Sequence, residues 1–240
     1  MILENNLFAR IREILKRDDT ILFIGSGLSL WSGLPNWSNL LEEMAKYIER
    51  LGYSAELVRK EVDNGNLLQA ASYGVDLLPP REFPRFIRQV CRYGEASPHL
   101  IHEKVVTLGP TCFITTNYDQ LIEDAFRKIH NSSLRPVTNN QLAETADIIQ
   151  ARANNFIFKP HGDVTDGNSI ILTREQYRSI LHGERKAALE ALKILLVSRP
   201  IVFLGFGLRD PDFIFVQDYL LDVFKGEACD YYAVMTSLSE

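Results

Sequence analysis

The sequence predicts an α/β protein: a doubly wound parallel sheet with helices on both faces and a helical insertion. Three observations carry this. Runs of four or five consecutive apolar residues recur along the chain, too unbroken for strands with one wet face and too short for helices. Amphipathic helical periodicities separate them, as crossovers between parallel strands require. Glycine or polar turn residues follow the runs directly, at the carboxyl ends where such sheets bind ligands. At 240 residues and 46% apolar, the chain can bury one large core.

Leu7, Phe8, Ile11, Ile14 and Leu15 recur at helical spacing, and Asp18-Asp19 break that helix before a buried strand at 20–24. The strand runs into Gly25-Ser26-Gly27-Leu28-Ser29. The next helix opens near Ser38, with Leu40, Leu41, Met44, Tyr47 and Ile48 on one face. From about 54 to 97, helical periodicities punctuated by Gly65, Gly74 and Pro79-Pro80 form the insertion. A short helix through Leu100, Val105 and Leu108 then leads past Gly109-Pro110 to a second buried strand at 111–115, and Asn117-Tyr118-Asp119 opens the helix carrying Leu121, Ile122 and Phe126. Residues 131–153 are polar and weakly patterned, with a short strand at 135–137. A third buried strand at 156–159 ends at Pro160-His161-Gly162-Asp163, and 169–173 leads into a helix from Arg174. A long amphipathic helix at 184–197 precedes the fourth buried strand, 200–204, which enters Gly205-Phe206-Gly207. A helix around 213–224 and a terminal strand at 231–235 complete the expected order.

Composition excludes several classes of function. Lys plus Arg number 26 against 31 Asp plus Glu, so a net charge of −5 gives no electrostatic basis for duplex nucleic acid as the main ligand. No apolar run approaches the roughly 20 residues of a membrane helix, and Met1-Ile2-Leu3-Glu4-Asn5 opens neither a signal nor a transit peptide, so a cytoplasmic protein is expected. Cys91, Cys112 and Cys229 have no paired spacing, which points to no disulfide framework and no zinc ribbon. Cys112 and Cys229 fall in apolar strand-like runs that suit buried packing.

Four segments at the strand ends should converge on one cleft. Glycines at 25 and 27 permit a tight turn that brings backbone amides against a diphosphate, or simply a strand-to-helix turn. Leu30 stands where a dinucleotide fingerprint has its third glycine, and no nucleoside-triphosphatase lysine motif is present. Thr115, Thr116, Asn117 and Asp119 exceed the one or two side chains that capping needs, although Asn117 alone could cap the next helix. His161, between Pro160 and Gly162, is presented by a rigid turn, and an imidazole so presented is a candidate proton acceptor. His99 and His102 share a helical face by spacing, and His130 and His182 sit near helix ends. Gly205 and Gly207 again allow close approach of a ligand, and Asp210 or Asp212 caps the helix that follows.

Taken together, Gly25-Ser26-Gly27-Leu28-Ser29 with Gly33-Leu34-Pro35, Pro98 with His102, Thr115-Thr116-Asn117-Tyr118-Asp119, Lys159-Pro160-His161-Gly162-Asp163 and Gly205-Phe206-Gly207 resemble the Sir2 (sirtuin-like) fold. In detail the chain is similar to the bacterial SIR2-like branch found at the N-terminus of anti-phage defence proteins. That resemblance implies a Rossmann-like sheet and hydrolysis of NAD to nicotinamide and ADP-ribose, with NAD as substrate, no metal, and depletion of the host cofactor as the outcome. By position it implies that Gly25, Ser26 and Gly27 hold the diphosphate, with Ser29, Pro35, Trp37, Thr115 and Thr116 also binding NAD. Asn117 and Asp119 would lie near the nicotinamide ribose, His161 would be the catalytic histidine, and Gly205, Phe206 and Gly207 would face the adenosine half. Sirtuin deacylases have Pro-Asp-Phe-Arg where this chain has Pro35-Asn36-Trp37-Ser38, and they carry a four-cysteine ribbon that this sequence lacks. Two other readings stay open: a catalytically silent NAD or ADP-ribose binding module, and a deacylase or ADP-ribosyltransferase. The resemblance further implies a homo-oligomer, additional C-terminal domains, and a defence or phage protein as activating partner. Direct nucleic-acid binding and membrane association are not expected.

Overall fold

The computed structural model describes residues 2–150, 155–206, 218–219 and 231–234. Strands β1 (Ile21–Ile24), β2 (Cys112–Thr115), β3 (Arg135–Thr138), β4 (Phe156–Lys159), β5 (Ile201–Leu204) and β6 (Tyr231–Val234) form one sheet in the order β3-β4-β2-β1-β5-β6. Every pairing is parallel. The four inner strands are buried at every position because crossover helices cover both faces, which is why they read as apolar runs that only Thr115 and Lys159 interrupt, at the carboxyl ends of β2 and β4. Pro136 lies in the edge strand β3, the place where a residue without an amide hydrogen is tolerated.

Alternation along β1 separates the two cores. Ile21 and Phe23 join Ile114, Phe158 and Phe203 under α9 (Leu142–Ile149) and α11 (Lys186–Ser198). Leu22 and Ile24 join Phe113 and Ile157 on the opposite face, where α1 (Ile2–Ile14), α7 (Leu100–Val106) and α8 (Leu121–His130) contribute Ile14, Val106 and Phe126. The remaining helices build a third core beyond the sheet. There α3 (Trp37–Arg50), α4 (Glu56–Asp63), α5 (Leu67–Leu77) and α6 (Glu82–Val90) pack Met44, Ile48, Ala71 and Phe86 together.

Several local expectations are corrected. The turn after β1 is itself helical: α2 (Ser26–Ser29) is followed by a 3₁₀ turn that Gly33 ends at φ +76°. Helix α3 does open near Ser38, at Trp37, where the Asn36 side chain caps it by accepting the Asn39 N–H at 2.9 Å. Gly74 does not break a helix but lies inside α5, where a β-carbon would come within 2.3 Å of the Met44 sulfur. The polar stretch after Asn131 holds both β3 and α9. Cys91 and Cys112 are buried free thiols whose pKa values burial pushes up. Among the described residues no helix is long and apolar enough to cross a membrane, and no three His, Cys, Asp or Glu side chains cluster as a metal site. Gly207, Arg209, Asp210, Asp212, Cys229 and most of the expected 213–224 helix lie outside the described residues.

Candidate functional site

β1 is flanked by β2 on one side and β5 on the other, so the strand order reverses between β1 and β5, and a crevice opens there at the carboxyl edge. Ile24, Thr115 and Leu204 are in register, which brings the loops that follow them out at one level. They border a cleft of about 1060 Å³. The chain after β1 lines it with Ser26, Gly27 and Ser29, then Pro35 and Trp37. From the β2 loop come Thr116, Asn117 and Asp119, from the β4 turn His161, and from the β5 loop Gly205 and Phe206. Gly25 and Thr115 lie behind this wall.

The glycines after β1 and β5 interlock. The Gly25 N–H donates to the Leu204 carbonyl and the Gly27 N–H to the Gly205 carbonyl, both at 2.8 Å. A β-carbon at either Gly25 or Gly27 would lie 2.6 Å from the Gly205 oxygen, and Gly205 itself sits at φ +76°, where only glycine is unstrained. The missing side chains therefore let backbone approach backbone. A valine at position 27 would push the two loops apart before it met any ligand.

Asn117 is held by a chain of polar contacts. Thr115 Oγ1 donates to the Ile24 carbonyl at 2.8 Å, which ties the end of β2 to β1, and accepts the Asn117 N–H at 3.1 Å. Asn117 Nδ2 donates to the Gly25 carbonyl at 3.1 Å and to Ser29 Oγ at 3.0 Å. Both amide hydrogens are thereby committed, and a flipped amide would set oxygen against the Gly25 oxygen, so the orientation is fixed. Ser29 Oγ passes its own hydrogen to Asp119 Oδ2 at 2.8 Å, while Asp119 Oδ1 accepts the Leu121 N–H at the start of α8. The contact to that helix is made by Asp119, which frees Asn117 from the capping role.

His161 occupies the turn after β4. Gly162 follows at φ +97°, with the Ser169 carbonyl only 2.3 Å from where a β-carbon would stand, and the His161 carbonyl accepts the Ile171 N–H at 2.9 Å. The imidazole Nδ1 lies 3.4 Å from the Tyr177 hydroxyl, and the two rings meet edge to face with centroids 5.1 Å apart. Tyr177 is carried by α10 (Arg174–His182), whose start is fixed by a reciprocal cap between Thr173 and Gln176.

The SIR2-like domain family matches residues 111–239, more than half of the chain, from β2 to beyond β6. The chain belongs to the SIR2-like domain family. Similarity to curated relatives extends over the β1 loop as well. NAD(+) hydrolase ThsA of Acinetobacter baumannii (strain 532279) is 29% identical over 236 residues, 96% of this chain and 45% of that protein. NAD(+) hydrolase ThsA of Enterococcus faecium is 25% identical over 241 residues, 97% of this chain and 46% of that protein. Defense-associated sirtuin 2 of Bacillus subtilis is 26% identical over 218 residues, 88% of this chain and 20% of that protein. The chain thus spans half or less of the length of these relatives.

Tyr177 and Trp31 are among the residues of this SIR2-like cleft that escaped the sequence reading. Tyr177 carried no local mark, since one tyrosine on a polar helix gives no spacing to His161. Trp31 lines the cleft while 64% exposed, its ring tilted against His99 at 5.3 Å; an isolated tryptophan in a loop reads equally as packing. His99 and His102 do not present a shared face but cap α7: His102 Nδ1 accepts the His99 N–H at 3.1 Å and His99 Nδ1 accepts the Ile101 N–H at 3.3 Å. Burial pushes His102 below its ordinary 6.5, against the opposing pull of the Asp119 carboxylate. The unfolded chain therefore binds this proton more readily than the folded one, and stability is lost as pH falls from about 6.5 through the folded-state value. His102→Asn keeps a capping acceptor and removes the titration. Its melting temperature should fall less than that of the wild type between pH 7 and pH 5, and parallel acid profiles would count against His102 as the sensitive group.

Proposed function

We propose that this chain hydrolyses NAD+ at the nicotinamide–ribose bond, releasing nicotinamide and ADP-ribose. The observation that carries this is a fixed Asn117 amide and a presented His161 imidazole on one dinucleotide-sized cleft at the sheet's switch point. The ThsA relatives, themselves named NAD(+) hydrolases, support the same reading.

Breaking the C1′–N bond sends the electron pair to nicotinamide and builds positive charge on the ribose, which oriented dipoles and a nearby carboxylate stabilise. Asn117, with both hydrogens committed, offers its carbonyl oxygen to a ribose hydroxyl or to the attacking water. Asp119, steadied by Ser29 and Leu121, supplies negative charge close by. Water oxygen joins C1′, and His161 takes the proton released, either from that water or from a ribose hydroxyl. In this reading Ser26 and Gly27 lie along the diphosphate and Gly205 and Phe206 along the adenosine half. The proposal extends to depletion of cytoplasmic NAD in anti-phage defence by a homo-oligomer under the control of a defence or phage partner. It also treats residues 1–240 as one SIR2-like unit with its helical insertion at about 54–97.

Incubation of the purified protein with NAD+ should yield equimolar nicotinamide and ADP-ribose on chromatography. Tight NAD binding without either product would overturn hydrolysis and favour a silent binding module. Tyr177→Phe keeps the edge-to-face ring contact and removes the hydroxyl facing Nδ1, so kcat should fall roughly 3- to 10-fold with KM little changed. An unaltered kcat would mean that the hydroxyl does not orient the imidazole.

A further inference from the structure

Lys159 belongs to the turn motif that carries His161, yet the chemistry above gives it no task. Its side chain is 0% exposed. The ammonium donates to the Asp119 carbonyl at 2.5 Å, to Asp163 Oδ2 at 2.5 Å and to Glu123 Oε1 at 3.0 Å, with the Tyr118 carbonyl further off at 3.4 Å. An ammonium has three hydrogens, so the three shorter contacts use all of them. Burial opposes the charge on Lys159, but Glu123, Asp163 and Asp119 outweigh it and raise its pKa. The lysine stays protonated.

These partners come from two stretches of chain, 118–123 and the turn that Lys159 itself opens. Asp119 follows Asn117 by two residues in the β2 loop, Glu123 sits in the first turn of α8, and Asp163 closes the β4 turn. Lys159 and Asp163 bracket His161, two residues to either side. Asp163 is fixed in turn, its Oδ1 accepting the Thr165 N–H at 2.8 Å and the Thr165 hydroxyl at 2.6 Å. A second link joins the same loops, the Val164 N–H donating to the Tyr118 carbonyl at 2.9 Å. Surface ion pairs contribute little to stability, and a buried pair often costs more in desolvation than it returns, so a stability role is a poor account of so many converging contacts.

We infer that Lys159 is a positioning residue whose ammonium joins the Asn117–Asp119 loop to the His161 turn and sets the relative placement of those two groups. The inference rests, for its kinetic arm, on the NAD+-hydrolase reading. Lys159→Met alone strands two buried carboxylates and is open to misfolding, so Lys159→Met with Glu123→Gln is the decisive variant; there Asp163 keeps its Thr165 contacts. That double variant should melt cooperatively, hold KM for NAD+ within about 3-fold and lose on the order of 100-fold in kcat, the cost of an ångström-scale misplacement. Amide exchange at Val164 and at residues 119–121 should quicken by at least about tenfold, while β1 and β5 keep wild-type protection.

A folded double variant with wild-type kcat, or with unchanged exchange at those amides, overturns the inference. So does failure of both variants to fold, which would make Lys159 a determinant of folding instead of site geometry. If the wild-type protein turns over no NAD+, the hydrolase reading falls by itself, and the exchange measurement alone decides whether Lys159 joins the loops.

Discussion

His161→Ala is expected to lower NAD+ turnover by about 10³-fold and to leave KM within a few-fold, within the usual range for loss of a positioned general base. The imidazole is half-buried at the cleft, where it meets the Tyr177 hydroxyl and ring. Asn117 is anchored on Thr115, Gly25 and Ser29, and those hydrogen bonds do not pass through the imidazole. Removing the ring therefore takes away the proton acceptor and spares the groups that bind the dinucleotide. The fold should survive too, since the turn is held by Gly162, Ser169 and the backbone bond from Ile171 to His161. His130→Ala is the matched control. That residue bonds the Val106 carbonyl at 2.9 Å and stacks on Phe126, both away from the cleft, so its loss should leave turnover unchanged. Wild-type consumption of NAD+ by a well-folded His161→Ala protein would remove His161 from the mechanism.

The sheet was legible because parallel strands covered on both faces must be apolar at consecutive positions, as β1 and β5 are throughout and β2 and β4 are up to Thr115 and Lys159 at their carboxyl ends. The convergence of loops was legible for the same reason, since parallel strands place every carboxyl end on one rim. What escaped depends on partners distant in sequence. Gly74 resembles a breaker until Met44 is seen packed against it, and α9 hides in a polar stretch because only Thr145 and Ile148 of its residues are fully buried. Tyr177 acquires meaning only when α10 folds over the β4 turn. Lys159 looked like part of a turn motif, and nothing near it in sequence announces that Asp119 and Glu123, some 40 residues upstream, close around its ammonium. Asn117, by contrast, stands out in the sequence as a polar group beyond what capping needs, yet the sequence could not say that Asp119 would make the helix-start contact and leave Asn117 its oxygen.

Asn117→Ala should cut turnover by about 10²- to 10³-fold, as expected for one preorganised polar group acting on developing charge. Thr115 still ties β2 to β1 and Ser29 still donates to Asp119, so the loop should persist and NAD+ should bind with at most a several-fold weaker KM. Asn117→Asp is the sharper variant. It keeps the shape but sets a carboxylate oxygen about 3.1 Å from the Gly25 carbonyl, where the wild-type amide donates, so it should lose turnover and melt at a lower temperature than the alanine variant. Combining Asn117→Ala with His161→Ala then separates one shared step from two independent ones. Independent contributions would multiply to about 10⁵- to 10⁶-fold, whereas groups serving a single proton transfer from an oriented water lose little more together than the worse one loses alone. A double-variant loss near 10³- to 10⁴-fold is the expected result. Full multiplication would mean that Asn117 and His161 act at different moments of the reaction, with Asn117 then holding the sugar rather than the water whose proton His161 accepts.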